Sequence, residues 1–163
     1  MTDKPLRALR RRTVGVLFAG VALGSTGHIA AVTVTSIVAL ELSKDRALAG
    51  LPAAAVVLGA AIGATILGAV MGRWGRRPGL AGGYLVGVIG AVIAVAGIVV
   101  LSFPILLIGC LAIGFGNSSN QLSRYAAADM YPSTRRASAI GIVVWAATVG
   151  AVIGPNLVQV SGD

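Results

Sequence analysis

The side chains in this sequence that could recognise a solute are few and clustered. Asn117-Ser118-Ser119-Asn120-Gln121, followed by Arg124, interrupt an otherwise apolar segment. On a helix, positions 117, 120, 121 and 124 share one face. Amides and a guanidinium are costly against lipid, so that face must meet protein or a water-filled cavity. Two uses fit: a cavity lining that touches a substrate, or interhelical hydrogen bonds that hold a bundle together. Arg124 lies near the segment's end, and its long stem could also carry the charge out to the headgroups. His28 is the only histidine. An imidazole titrates near neutral pH in water, so His28 could take up a proton or bond a substrate. Equally, it could sit neutral against one of Ser25, Thr26, Thr33, Thr35 or Ser36. Glu41 reads as a solvated helix end.

These residues sit in a chain built for a bilayer. It has 163 residues, 56% of them hydrophobic and 11% charged, with mean hydropathy +0.91. A soluble domain of this size cannot hide so much apolar surface, so the class is an all-α polytopic membrane protein. The 23 glycines would weaken soluble helices, but in a membrane bundle they let helices approach closely. One cysteine, Cys110, cannot close a disulfide within the chain or build a metal cluster. No paired intramembrane acids, histidine cluster or Ser/His/Asp set points to an enzyme. No phosphate-binding G-x-x-x-x-G-K-S/T loop points to a nucleotide-driven pump. Neither a cofactor nor a metal is expected.

Five apolar runs are predicted to span: 13–40, 48–71, 79–101, 104–127 and 137–160. Each exceeds 20 residues, enough for about 30 Å of hydrocarbon. Ser43-Lys44-Asp45-Arg46 separates the first pair. Pro78, Pro104 and Pro132 fall at or beside helix starts, where proline is tolerated. The short Ser102-Phe103 connection makes the third and fourth helices antiparallel neighbours. The first run is too long for the apolar core of a signal peptide and lacks a convincing cleavage site, so it reads as a retained helix.

The net charge of +8 could suggest a nucleic-acid partner, but its placement argues for topology instead. Lys4, Arg7, Arg10, Arg11 and Arg12 precede the first span. Arg73, Arg76 and Arg77 lie between the second and third, and Arg135 and Arg136 before the fifth. The alternate connections carry only Lys44 and Arg46, offset by Glu41 and Asp45. The positive-inside rule then places the N-terminus in the cytoplasm and Asp163 outside. Trp74 and Trp145 read as lipid-facing or interfacial. Gly150 and Gly154, four apart, offer a flat packing patch, repeated in the second span at Gly59/Gly63 and Gly68/Gly72. Pro155 should bend the end of the fifth helix.

The segment from Gly68 to Leu80 resembles the signature between helices 2 and 3 of the major facilitator superfamily, G-x-x-x-D-R-x-G-R-R/K. Gly68, Arg73, Gly75, Arg76 and Arg77 match, while Gly72 replaces the acid. The Pro132-to-Arg136 connection and the Gly150-to-Pro155 patch follow in the family's order. The resemblance implies alternating access without covalent chemistry, in a fold of twelve helices in two halves. It implies a cavity lined by helices 1 and 4, where His28, Asn117, Asn120, Gln121 and Arg124 lie, and a cytoplasmic gate at Arg73, Arg76 and Arg77. With Gly72 in the acid's place, a carboxylate-based lock is absent from that loop or rebuilt elsewhere. Many proton-driven drug exporters carry an arginine in helix 4. Cys110 stands at that position, and Val158-Gln159 replace the exporters' Gly-Gly in helix 5. Proton-coupled efflux is therefore favoured only mildly.

The expectation is the first part of a plasma- or inner-membrane transporter of a small molecule, with a proton as candidate coupling ion. Five helices fall short of one six-helix half. That leaves a fragment of a longer transporter, a truncated product, or a chain that assembles with others. A fragment is preferred because the helix 5 pattern runs to the chain end. The alternative from another class is a membrane scaffold or assembly subunit working through its glycine faces.

Overall fold

Five helices follow in order: α1 (Lys4–Ser43), α2 (Leu51–Trp74), α3 (Arg76–Val99), α4 (Phe103–Ala128) and α5 (Arg136–Val160). A 3-10 turn at Ser133–Arg135 leads into α5. This computed structural model describes residues 4–43 and 48–160; for 4–8, 10, 43, 154, 155 and 157–160 it describes the backbone alone. The proposed Lys44-Asp45-Arg46 break and Asp163 lie outside the described residues. All five helices are long and apolar enough to cross a membrane, and no strand occurs among the described residues. The protein is an integral, multi-pass, all-α membrane protein.

Two features differ from the apolar-run reading. α1 begins at Lys4 and runs for 40 residues, about 60 Å at the α-helical rise. Leucine, alanine and arginine all favour helix, so the fold continues past the apolar slab. The second difference concerns the basic connection, which is hardly a loop. Gly75 alone separates α2 from α3, with φ at +95°. That conformation favours glycine, and one residue in it reverses the chain. Arg73 therefore belongs to the last turn of α2, and Arg76 and Arg77 to the first turn of α3.

The α3–α4 connection is equally tight. The Ser102 amide donates to the Gly97 carbonyl at 2.8 Å and the Leu101 amide to that of Ile98 at 3.1 Å. This is the paired capping pattern that normally ends on glycine. Leu101 holds that position with φ +53°.

α4 is the hub, packed most extensively against α3 and α2 and less against α1 and α5. α5 pairs mainly with α1, while α1 and α3 barely touch. Glycine seams make the close approaches. A Cβ on Gly63 would lie 2.7 Å from the Phe115 carbonyl oxygen, and one on Gly87 would lie 3.2 Å from the Gly116 Cα. Leu85, Val88, Val92, Val95 and Val99 form an exposed stripe down α3 at helical spacing. Such a stripe suits lipid. Trp74 and Trp145 are likewise exposed.

Candidate functional site

The polar stretch of α4 opens onto two clefts. The larger, about 350 Å³, lies between α1, α3 and α4 and is lined in part by Gly24, His28, Tyr84, Asn117 and Asn120. The smaller, about 140 Å³, lies between α1, α4 and α5 and includes Ser25, Asn117, Asn120, Gln121 and Arg124. Asn117 and Asn120 thus form part of the wall between the clefts. His28 lines only the larger, and Gln121 and Arg124 only the smaller. The five residues grouped by sequence are divided between two sides of the α1–α4 contact.

The serines of the stretch turn away from both clefts. Ser118 donates to the Ala60 carbonyl of α2 at 2.7 Å, and Ser119 to the Leu80 carbonyl of α3 at 3.3 Å. Ser123 donates to the Ser119 carbonyl within α4 at 2.7 Å. All three are buried. The first two supply interhelical bonds of the kind that hold membrane bundles together. The amides are organised differently. Tyr84 of α3 donates to Asn120 Oδ1 at 2.8 Å, and Asn120 Nδ2 donates to Asn117 Oδ1 at 3.2 Å. Tyr84 has one hydroxyl proton, so its 3.3 Å contact with the Ser123 hydroxyl adds little. Asn120 also fills a notch on α1, where a Cβ on Gly24 would crowd its side-chain amide.

Arg124 is held by its own helix. Its Nε donates to the Gln121 carbonyl at 2.9 Å, its Nη2 donates to Gln121 Oε1, and its guanidinium carbon lies 5.5 Å from the centre of the Tyr125 ring. In α1, the hydroxyls of Thr26, Thr33, Thr35 and Ser36 donate to carbonyls one turn back. His28 Nδ1 is buried without a hydrogen-bond partner among the described residues.

At the basic end of the bundle, Arg76 meets Asp129, the residue that caps α4. Arg76 Nε donates to Asp129 Oδ2 at 2.9 Å and Nη2 lies 2.6 Å from the same oxygen. Two arginines at a helix N-terminus oppose its dipole, and the carboxylate offsets this. The pair is about half exposed, at 45% and 51%, so solvent screens it. Arg73 and Arg77 are exposed and make no ion pair among the described residues.

Of the packing glycines, Gly150 presses on α1, where a Cβ would lie 2.5 Å from the Ala22 carbonyl oxygen. Gly59 and Gly63 press on α4, but Gly68 and Gly72 face open space. The surroundings of Gly154, Pro155, Val158 and Gln159 lie outside the described residues. The packed glycine faces are thus used inside this bundle.

Sequence reasoning missed Tyr84 and Asp129. Tyr84 is a lone aromatic in a glycine-rich span, separated by 36 residues from its partner Asn120. Asp129 carries a visible signal, as an acid at the end of an apolar helix in a chain with five acids.

Five apolar helices packed around a polar central helix, with an ion pair at one end, define a polytopic membrane-protein bundle. The chain belongs to the Major Facilitator Superfamily, whose profile it matches over residues 14–160. It is 38% identical over 157 residues to the "Uncharacterized MFS-type transporter YdeG" of Bacillus subtilis, covering 96% of this chain and 36% of that protein. It is 36% identical over 155 residues to the "Uncharacterized MFS-type transporter YddS" of the same organism, covering 95% of this chain and 36% of the relative. It is 37% identical over 148 residues to the "Riboflavin transporter RfnT" of Brucella anthropi, covering 91% and 37%. The chain therefore spans little more than a third of the length of these relatives. No solved structure matches it.

Proposed function

We propose that this chain is the N-terminal part of a secondary active transporter that carries a small molecule across the plasma membrane by alternating access. Its N-terminus faces the cytoplasm, and the rest of the cavity comes from the remainder of the transporter. The observation that carries the reading is the cleft between α1, α4 and α5, where uncharged hydrogen-bonding groups and Arg124 lie between membrane-spanning helices. Asn117, Asn120, Gln121 and Arg124 line the path. No bond is made or broken in the cargo, so the protein acts by binding and rocking rather than as an enzyme.

Arg73, Arg76 and Arg77 form the cytoplasmic gate. The acid absent at Gly72 is supplied by Asp129, which ties the start of α3 to the end of α4 in this state. An exposed pair is weak enough to break in a transport cycle, about 0.2–1 kcal/mol. A proton is the candidate coupling ion and His28 the candidate carrier, because its Nδ1 has no partner. Export coupled to proton entry is the cycle this arrangement would serve.

The test uses the complete protein in proteoliposomes, with riboflavin as the first solute because one relative is named a riboflavin transporter. Asn120→Ala combined with Gln121→Ala should raise KM at least tenfold. Unchanged affinity and rate for a transported solute would remove both residues from the path.

A further inference from the structure

We infer that Arg124 anchors an anionic group, a carboxylate or phosphate, on the transported molecule in the cleft between α1, α4 and α5. The inference rests on the transport reading and adds the charge of the cargo.

It starts from what faces Arg124. Its neighbours in the cleft are Ser25, Asn117, Asn120 and Gln121, all uncharged, with Val21, Val143, Val144 and Ala147 as apolar walls. Only two acids occur among the residues with described side chains. Asp129 is taken by Arg76. Glu41 is near the end of α1, at the opposite end of the bundle, about 30 Å from the level of Arg124 by helical rise. Arg124 is thus a half-buried cation one turn inside the end of α4, with no carboxylate partner among the described residues.

The guanidinium is also oriented. A guanidinium has five N–H donors in a rigid fork. Two are occupied by the Gln121 carbonyl and side-chain oxygens. The others make no hydrogen bond among the described residues. Side chains on a helix lean towards its N-terminus, and Arg124 accordingly reaches back to Gln121, one turn towards the middle of α4, with its guanidinium carbon 5.5 Å from the centre of the Tyr125 ring. A fork held in this way beside the apolar residues of the cleft suits a carboxylate or phosphate, which it can grip through two parallel bonds. Arg73 and Arg77 are equally unpaired but exposed at the bundle's end, where water can solvate them.

The measurement is the unfolding midpoint of the complete transporter in dodecyl maltoside, wild type against Arg124→Gln. It is made without solute, then with flavin mononucleotide or riboflavin, and with benzoate or benzamide. Each pair differs by one anionic group, phosphate in the first and carboxylate in the second. Without solute, the variant should unfold at the wild-type temperature or above, because no carboxylate among the described residues loses its partner. In at least one pair the charged member should bind the wild type at least tenfold more tightly than the neutral one. In Arg124→Gln that preference should fall to within about twofold.

Three results would overturn the inference. A solute-free variant melting more than about 4 °C below wild type would mean that the protein itself neutralises Arg124. A stabilising shift from phosphatidylglycerol alone, lost in the variant, would make the partner a lipid headgroup. No charge preference in either pair would leave the cargo without the proposed anion. Riboflavin uptake without charge preference would remove the anion and leave transport standing. Failure of the wild type to move any of the four solutes in proteoliposomes would count against the transport reading, while the solute-free comparison still decides how Arg124 is neutralised.

Discussion

The middle of α4 and its end solve the same problem in different solvents. At the end, Arg76 and Asp129 carry full charges, sit half in water, and hold α3 to α4 with a pair worth little. In the middle, buried Ser118 and Ser119 link α4 to α2 and α3 away from water, and the uncharged Tyr84–Asn120 bond links α3 to α4 half-buried beside the clefts. Formal charge alone would rank the first contact as the stronger, but burial reverses the order. A transporter needs both kinds, one to keep a half-bundle rigid while it rocks and one to let go. The glycine seams belong with the rigid group, because they set how close α2 and α3 come to α4.

The largest effect should come from breaking a seam. Gly63→Leu places a side chain against the Phe115 backbone, which cannot yield cheaply. Overpacking there should cost about 3 kcal/mol or more. Size-exclusion profiles of the complete protein should show loss of the folded peak. Next comes Tyr84→Phe, which removes a half-buried hydroxyl and leaves Asn120 Oδ1 without that donor. The loss should be about 0.5–2 kcal/mol, insensitive to salt, and visible as a lower unfolding midpoint. Arg76→Gln should cost less than about 1 kcal/mol, and 0.5 M salt should shrink the difference from wild type. On the proposed gating role of Arg76, its transport rate should change more than its stability. A Tyr84 effect that vanished in salt, or an Arg76 effect that did not, would undo the comparison. The smallest change is a gain. Leu101→Gly relieves a leucine held at φ +53° in the α3–α4 turn and should stabilise by about 0.5–1 kcal/mol, read as a raised midpoint.

The membrane class and the five helices were legible because apolar runs broken by charge or proline leave little other choice. Helix identity is a local property, and so is the face shared by Asn117, Asn120, Gln121 and Arg124. What those residues face is not local. Asn120 is claimed by Tyr84, 36 residues away, and Arg76 by Asp129, 53 residues away. No periodicity announces such pairs. His28 was placed with the α4 stripe, but the α1–α4 contact puts it on the other side from Gln121 and Arg124. The basic segment looked like a loop because arginine and glycine cluster there. One glycine at positive φ suffices to turn the chain, and the arginines fold into the flanking helices. The absence of an acid at Gly72 was visible, but the pairing of Arg76 with Asp129 of α4 was not.

The central claim is that α4 turns Asn117, Asn120, Gln121 and Arg124 to a solute path and its serines into the bundle. Single cysteines at 121 and 124, and separately at 119 and 123, would be placed in the complete protein with all other cysteines replaced. Labelling with a membrane-impermeant thiol reagent in proteoliposomes tests the claim directly. The account predicts that Gln121→Cys and Arg124→Cys label at least tenfold faster than Ser119→Cys and Ser123→Cys, and that a transported solute protects them. Equal rates at all four positions, or faster labelling at 119 and 123, would contradict it.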